Sequence, residues 1–180
     1  MRALTLRRSA TSAFVQPAAT RRRTSNSRAE SAPISPAPAG AAPASGLQVL
    51  LAEDNEINAR IALKVLERLG ARVAHAHDGV EALDLARAAM RGERPRFDLI
   101  LMDIRMPGLD GLEASRFIRV EEARAGLEPT RIAAVTANAF EEDRQACRAA
   151  GIDDFLTKPV DIEALTRLIA SLAAPRAESA

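Results

Sequence analysis

The chain has few aromatic residues and almost no cysteine. Its 180 residues include five Phe but no Trp and no Tyr, so Leu, Ile, Val and Ala must fill the core. The single cysteine, Cys147, excludes a disulfide within the chain. No apolar run approaches the roughly 18 residues that cross a bilayer. The length suits one ordinary domain with a tail, which we expect to be cytoplasmic and not bound to a membrane.

Charge is divided unevenly along the chain. Residues 1 to 46 carry seven Arg and one Glu, a net charge of +6, whereas residues 47 to 180 carry 18 basic and 23 acidic residues, a net charge of −5. Four prolines between residues 33 and 43, together with few large apolar side chains, predict a disordered basic arm up to about Gly46. An unstructured linker is the simplest interpretation of this arm. A transit peptide and an anion-binding arm are the alternatives.

Four strand-like hydrophobic runs alternate with helix-like segments, at residues 49–52, 99–102, 132–135 and 154–156. With a further strand near His75, this alternation predicts an α/β fold of the flavodoxin-like, doubly wound type. We expect five parallel strands in the order 2-1-3-4-5 and five helices, forming one domain over residues 47 to 173 and followed by a short tail, 174 to 180.

Local signals set the expected helix ends. The first helix is predicted from an apolar face that ends at a left-handed stop, Gly70; its residues are Ile57, Ile61, Val65, Leu66 and Leu69. Carboxylates at helix starts are favoured by the free amide groups and the helix dipole, and Asp78, Asp110 and Asp161 are placed to serve there.

Polar residues follow the predicted strands. Glu53 and Asp54 come after the first strand, Asp103 after the third, and Thr136 and Lys158 after the fourth and fifth. The carboxyl ends of parallel strands meet at one edge, so we expect these side chains to share a cleft. Three close carboxylates repel one another and favour a divalent cation. Oxygen ligands suit Mg²⁺, because zinc would prefer His or Cys.

Lysine is rare in this chain, since only Lys64 and Lys158 among 25 basic residues are not Arg. This bias indicates that Lys158 is used for its chemistry, as a compact charge that reaches a phosphoryl oxygen. With Mg²⁺, Asp103 could then act as a nucleophile toward phosphorus while Thr136 donates a hydrogen bond. The pair His75 and His77 could also hold a metal, but the sequence offers no third ligand for it.

Four segments carry a family resemblance: LLAEDNEIN at residues 50–58, MDIRMPGLDG at 102–111, VTANA at 135–139 and FLTKPV at 155–160. In order and spacing they resemble the receiver domain of response regulators in two-component signalling, over about residues 47 to 173. The opening with Asp54, Asn55 and Asn58 is similar to receivers attached to hybrid histidine kinases.

The resemblance implies roles for individual residues. Asp103 would accept phosphate from a phosphohistidine, and Asp54, Asp103 and the backbone carbonyl of Arg105 would bind Mg²⁺, with Glu53 assisting through water. Thr136 and Lys158 would hold the phosphoryl group, and the Lys158-Pro159 bond would be cis. Phe155 matches the aromatic switch position that moves with Thr136. We also expect Arg105 and Asn138 to tune the acyl-phosphate lifetime from positions flanking the site.

A receiver is a signalling phosphoacceptor, and the implied partners are a histidine kinase or a histidine phosphotransfer protein. The seven residues after Ala173 are too few for a DNA-binding output domain, so we expect action by protein contact or phosphate relay, with homodimers possible. A haloacid-dehalogenase-type enzyme would need an acid where Arg105 stands. A module independent of phosphorylation would be expected to lack Asp54, Asp103 or Lys158. Nucleic-acid binding would rest on the basic arm alone.

Overall fold

The computed structural model describes residues 46–137 and 140–173. Its strands are β1 Gln48–Ala52, β2 Arg72–Ala76, β3 Leu99–Asp103, β4 Arg131–Thr136 and β5 Asp154–Thr157. Its helices are α1 Glu56–Arg68, α2 Gly79–Met90, α3 Gly111–Ala125, α4 Glu141–Ala149 and α5 Ile162–Ala173. The predicted arm before Gly46, the tail 174 to 180 and Asn138 lie outside the described residues.

The five strands form one parallel sheet in the order β2-β1-β3-β4-β5. This confirms the predicted flavodoxin-like topology. The order reverses between β1 and β3, which are neighbours with Ala52 opposite Met102. Side chains at the carboxyl ends of these two strands are therefore brought together, at the place where doubly wound sheets bind their ligands.

Both faces of the sheet are covered, so its central strands are apolar except at their ends. In β3, Leu99 and Leu101 pack with α1 and α5, whereas Ile100 and Met102 pack with α2, α3 and α4. All five residues of β3 are buried. This two-sided burial explains why the strands appear in the sequence as unbroken hydrophobic runs.

Helix α1 confirms only part of the predicted apolar face: Leu66 is buried, and Val65 and Leu69 pack against the same core. Its buried residues are Ala59, Ala62 and Leu66, whereas Ile57 and Ile61 are 70% and 54% exposed. Two alanines face the sheet, and their small side chains let the helix backbone lie close to it. The larger isoleucines, about half a turn around the helix, are left on the outer surface.

The predicted helix starts are confirmed. Asp78 accepts a hydrogen bond from the Glu81 amide and Asp110 from the Glu113 amide, each at 2.8 Å. The same contact from Glu163 to Asp161 measures 3.0 Å. Gly70 has the left-handed conformation, with φ of 87°, that was predicted for the end of α1. None of the helices in the described segments is long and apolar enough to cross a membrane.

Candidate functional site

Three carboxylates meet beyond the carboxyl ends of β1 and β3. Glu53 and Asp103 are each only 3% exposed, and Asp54 beside them is exposed. One oxygen from each of the three lies within 4.8 Å of the other two. Among residues 46–137 and 140–173, this is the one group of carboxylate, His or Cys side chains close enough to hold a metal ion. The histidine pair does not recruit a third ligand there.

Lys158 connects the two buried carboxylates. Its Nζ atom lies 2.6 Å from Oδ2 of Asp103 and 2.7 Å from Oε2 of Glu53. Its backbone amide donates to the carbonyl of Thr136 at 2.8 Å, which fixes the end of β5 against the end of β4. The Lys158-Pro159 peptide bond is cis, as the resemblance implied. The ammonium is therefore held between the two buried carboxylates.

Electrostatics at Asp103 reflect burial among charges. Burial raises the pKa of the Asp103 carboxyl, and the nearby Glu53 carboxylate adds to the rise. Hydrogen bonds from Lys158 and from the Arg105 amide, the latter 3.0 Å from Oδ1, oppose it. Burial alone would lower the pKa of Lys158, but its hydrogen bonds to Asp103 and Glu53 outweigh burial and raise it. One ammonium thus faces two buried acids.

Glu53 is fixed by neighbours on both sides. The Asn58 side-chain amide donates to its Oε1 at 2.9 Å, and Nε2 of His75 lies 2.9 Å from its backbone carbonyl. The rings of His75 and His77 contact each other edge to face, with 4.2 Å between their centroids. The histidines therefore support the loop after β1 from the neighbouring strand.

The remaining predicted residues surround this cluster. Thr136 ends β4 and is 8% exposed. Arg105 is exposed in the loop after β3, and Phe155 lies half-buried in β5, against the core shared with α2, α3 and α4. Asn138 is not among the described residues. The structure thus places Thr136, Lys158 and the three carboxylates at one edge of the sheet.

Two residues near the site, Gly111 and Asn58, were given no role of their own in the predictions from the sequence. A side chain at Gly111 would place its Cβ atom 2.0 Å from the Asp103 carbonyl oxygen, so only glycine fits there. The Gly111 amide also donates to the carbonyl of Ile104 at 3.1 Å. Asn58, which holds Glu53, is the other. The roles of Gly111 and Asn58 depend on tertiary contacts, which the sequence does not show. A glycine directly after the helix cap Asp110 was nevertheless a signal that this position needs a small residue.

The fold and the site define a flavodoxin-like α/β domain with a carboxylate cluster at the carboxyl edge of its sheet. The family model described as "Response regulator receiver domain" matches residues 49–170. The chain belongs to this family, and it is a receiver domain of two-component signalling, as the sequence resemblance predicted.

Curated relatives are histidine kinases. The chain is 38% identical over 126 residues to "Histidine protein kinase 1" of Candida albicans, covering 68% of this chain and 5% of that protein. It is 41% identical over 127 residues to the aerobic respiration control sensor protein ArcB of Escherichia coli, covering 71% and 15%. The matched part is thus a small fraction of each kinase.

Solved receiver domains share the fold. The receiver domain of the sensor histidine kinase PA1611 from Pseudomonas aeruginosa, with a magnesium ion in its active-site cleft, is 40% identical with a TM-score of 0.60, covering 72% of this chain and 98% of that one. The receiver domain of Ssk1 from Saccharomyces cerevisiae, crystallised with the histidine phosphotransfer protein Ypd1, is 32% identical with a TM-score of 0.64, covering 72% and 90%.

Proposed function

We propose that Asp103 accepts a phosphoryl group from a phosphohistidine of a histidine kinase or a histidine phosphotransfer protein. A carboxylate oxygen of Asp103 forms a bond to phosphorus while the phosphorus–nitrogen bond breaks, and the imidazole leaves with its electron pair. The observation that carries this proposal is the Lys158 ammonium, 2.6 Å from Asp103 and 2.7 Å from Glu53. This contact supports the proposal because it gives Asp103 a cation that could neutralise the negative charge of a transferred phosphoryl group.

The acidic cluster fits Mg²⁺, because it offers oxygen ligands whose charges repel one another. Asp54, Asp103 and the backbone carbonyl of Arg105 would hold the ion, with Glu53 assisting through water. When bound, Mg²⁺ supplies positive charge to phosphoryl oxygens. The observation that supports this set is the approach of three carboxylate oxygens within 4.8 Å.

Thr136 and Lys158 then have separate roles toward the phosphoryl group. The Lys158 ammonium exchanges its contacts with the carboxylates for a phosphoryl oxygen, and the Thr136 hydroxyl donates a hydrogen bond to another. The phosphoryl group itself carries roughly 1.5 to 2 negative charges, which lie beside Thr136. The Phe155 ring moves together with Thr136 when Asp103 is phosphorylated. The surface of α4, β5 and α5, about residues 139 to 172, then differs between the phosphorylated and unphosphorylated states. Unchanged amide chemical shifts on this surface after adding beryllofluoride with Mg²⁺ would contradict the last step.

A phosphohistidine-bearing partner would approach over the start of α1. Ile57 and Ile61 are exposed there, and a groove beside them is lined by Ile61, Ala62 and Val160. Glu53 and Lys158 line the same groove, so an apolar surface continues directly into the acidic cluster. An apolar side chain of the partner, seated in this groove, would bring its phosphohistidine next to Asp103.

This docking face has a direct test. Ile57→Ser should slow phosphoryl transfer from a phosphotransfer protein about tenfold, the effect of about 1.5 kcal/mol of lost apolar burial, and leave labelling by acetyl phosphate unchanged. Phe117→Ser is a matched control, because Phe117 is 48% exposed on α3, across the sheet from α1. Equal slowing by both variants would show that the start of α1 has no special role.

Output would follow from protein contact or phosphate relay, in the cytoplasm, with a homodimer as one way to present the switched surface. Arg105 and Asn138 would tune the acyl-phosphate lifetime by admitting or excluding water. If Arg105→Ala and Asn138→Ala both left the decay rate unaltered, that role would be wrong. The domain would thus act as a signalling phosphoacceptor that assists its own phosphorylation and dephosphorylation.

The decisive experiment measures intact-protein mass after incubation with acetyl phosphate and Mg²⁺. We expect one added phosphoryl group on the wild-type protein, none without Mg²⁺ and none on Asp103→Asn. Asp84→Asn is the matched control, because Asp84 lies on the exposed face of α2, where it pairs with Arg87 at 3.6 Å. An adduct that persists in Asp103→Asn would refute the assignment of the acceptor.

A further inference from the structure

Two guanidinium groups among the described residues lie over aromatic rings: Arg94 over Phe97, with 4.4 Å between its Cζ atom and the ring centroid, and Arg144 over Phe155. Arg144 of α4 lies over the ring of Phe155, with 5.7 Å between its Cζ atom and the ring centroid. Its Nε atom is buried and finds no hydrogen-bond acceptor among the described residues. The ring is thus the partner that the described residues give this guanidinium.

The contact is favourable because the face of an aromatic ring is negative and attracts a cation within about 6 Å. Arg148, one turn further along α4, behaves differently: its NH1 group pairs with Glu141 at 3.4 Å, and its side chain is 58% exposed. Two arginines on one helix therefore have different partners. Only Arg144 contacts the residue at the predicted switch position.

The Phe155 ring and Thr136 lie on one face of the sheet. Ala134 is opposite Phe155 in the pairing of β4 with β5, and both pack into the core shared with α4. Thr136 is two residues beyond Ala134, and side chains two apart in a strand lie on the same face. A movement of the Thr136 side chain therefore takes place on the face of the sheet where Arg144 covers the Phe155 ring.

We propose that Arg144 is a positioning residue that holds the Phe155 ring in the place it has in this structure. The effect on signalling rests on the proposed phosphoacceptor function: by stabilising this ring position, Arg144 opposes the change of state that phosphorylation favours. Loss of the cation should then make the switched state easier to reach. Typical strengths of such contacts correspond to about a two- to fivefold change in the equilibrium.

The first test reads the ring directly, with no phosphoryl analogue present. NMR signals of the Phe155 ring protons should shift in Arg144→Met, which keeps an apolar stem but removes the cation. Arg144→Lys, which keeps a cation, should restore most of the wild-type signal. Arg148→Met is the matched control and should leave the ring signals unchanged. Wild-type ring signals in Arg144→Met, or no rescue by lysine, would overturn the proposal.

The second test measures binding of beryllofluoride with Mg²⁺, a stand-in for the phosphoryl group. Arg144→Met should bind it about two- to fivefold more tightly than wild type, and the gain should vanish when Phe155→Leu is already present. Unchanged or weaker binding, or a gain that persists without the ring, would overturn the proposal. Arg144→Gln serves in place of Arg144→Met if the latter fails to fold. If wild type itself does not bind beryllofluoride, the phosphoacceptor function fails while the ring measurement still decides the contact.

Discussion

Two buried ionic clusters lie at opposite ends of the sheet, and they differ in charge balance. At the carboxyl end, Glu53 and Asp103 share the single ammonium of Lys158. At the amino end, Glu122 is paired with Arg119 at 2.7 Å and lies 3.7 Å from Arg96. The first cluster has an excess of negative charge, and the second has cations enough for its acids.

The amino-end cluster joins three segments through Arg119. This guanidinium donates to Glu122 and to the carbonyl of Thr130, each at 2.7 Å, and to the Gly151 carbonyl and Asp153, each at 2.9 Å. Glu122, only 1% exposed, also accepts the Thr130 amide at 2.7 Å. Buried polar groups with partners on every side fix one geometry, here the entries into β4 and β5.

The difference teaches how one fold separates stability from function. A balanced cluster gains little from an added ion and serves to hold strands in place. An unbalanced cluster raises the pKa of Asp103 by burial and by the repulsion of Glu53, so it favours an added cation. The end that is least satisfied in charge is the end where a metal and a phosphoryl group are expected.

The largest expected effect comes from disrupting the balanced cluster at the amino end of the sheet. Glu122→Ala removes the buried acid that pairs with Arg119, which then keeps Asp153 as its carboxylate partner, and it leaves the Thr130 amide without its acceptor. It should lower the free energy of unfolding by about 3 to 5 kcal/mol. Urea unfolding measures this loss. A cost below about 1 kcal/mol would show that the amino-end cluster does not stabilise the fold.

Magnesium should stabilise the folded domain only by binding the carboxylate cluster at the carboxyl end of the sheet. At 100 times its dissociation constant, Mg²⁺ should raise the free energy of unfolding by about 2.7 kcal/mol. Asp54→Asn removes one exposed carboxylate of the cluster and should abolish most of this gain, whereas Asp84→Asn should keep it. Thermal unfolding with and without Mg²⁺ gives the comparison. Equal stabilisation of both variants would place the ion elsewhere.

A third prediction uses two glycines at the amino end. Gly126 and Gly151 both have positive φ, 63° and 78°, so alanine at either should cost about 1 to 2 kcal/mol of strain. At Gly151 the added Cβ atom would also lie 2.8 Å from Cγ of Arg119, whereas nothing lies within 4 Å at Gly126. Gly151→Ala should therefore destabilise more than Gly126→Ala in urea unfolding. Equal costs would mean that Arg119 moves aside freely.

The smallest effect concerns pH at the unbalanced end. A carboxyl whose pKa is raised on folding binds its proton more tightly in the folded state, so its contribution to stability falls as pH rises from about 4 through that raised pKa. Without Mg²⁺, Asp103→Asn should thus become more stable relative to wild type as pH rises toward neutrality. Unfolding at several pH values tests this, and a difference that stays constant would contradict it.

The sequence predicted the sheet order and the helix caps because these depend on local patterns: unbroken apolar runs, Gly70, and aspartates before helices. It also predicted that Glu53, Asp54, Asp103 and Lys158 would lie together, since parallel strands bring their carboxyl ends to one edge. Their roles toward phosphate and metal stay predictions.

What the sequence could not predict depends on contacts between distant residues. The buried face of α1 was wrong at Ile57 and Ile61 but right at Leu66, because the sheet selects Ala59 and Ala62 for close packing although the isoleucines are more hydrophobic. Arg119 reaches acceptors as far along the chain as Asp153, and such a network has no local pattern. The position of Gly111 against Asp103 likewise appears only once α3 is docked on β3.

Gly111 takes no part in the chemistry, yet its position should tolerate no other residue. Residue 111 has no side chain to react, yet a single methyl group there would press on the carbonyl of the residue proposed to be phosphorylated. A screen of substitutions for signalling would therefore mark position 111 beside Asp103 itself. The first residue of α3 packs directly on the backbone at the end of β3. A shift of the Asp103 backbone should therefore move the start of α3 as well.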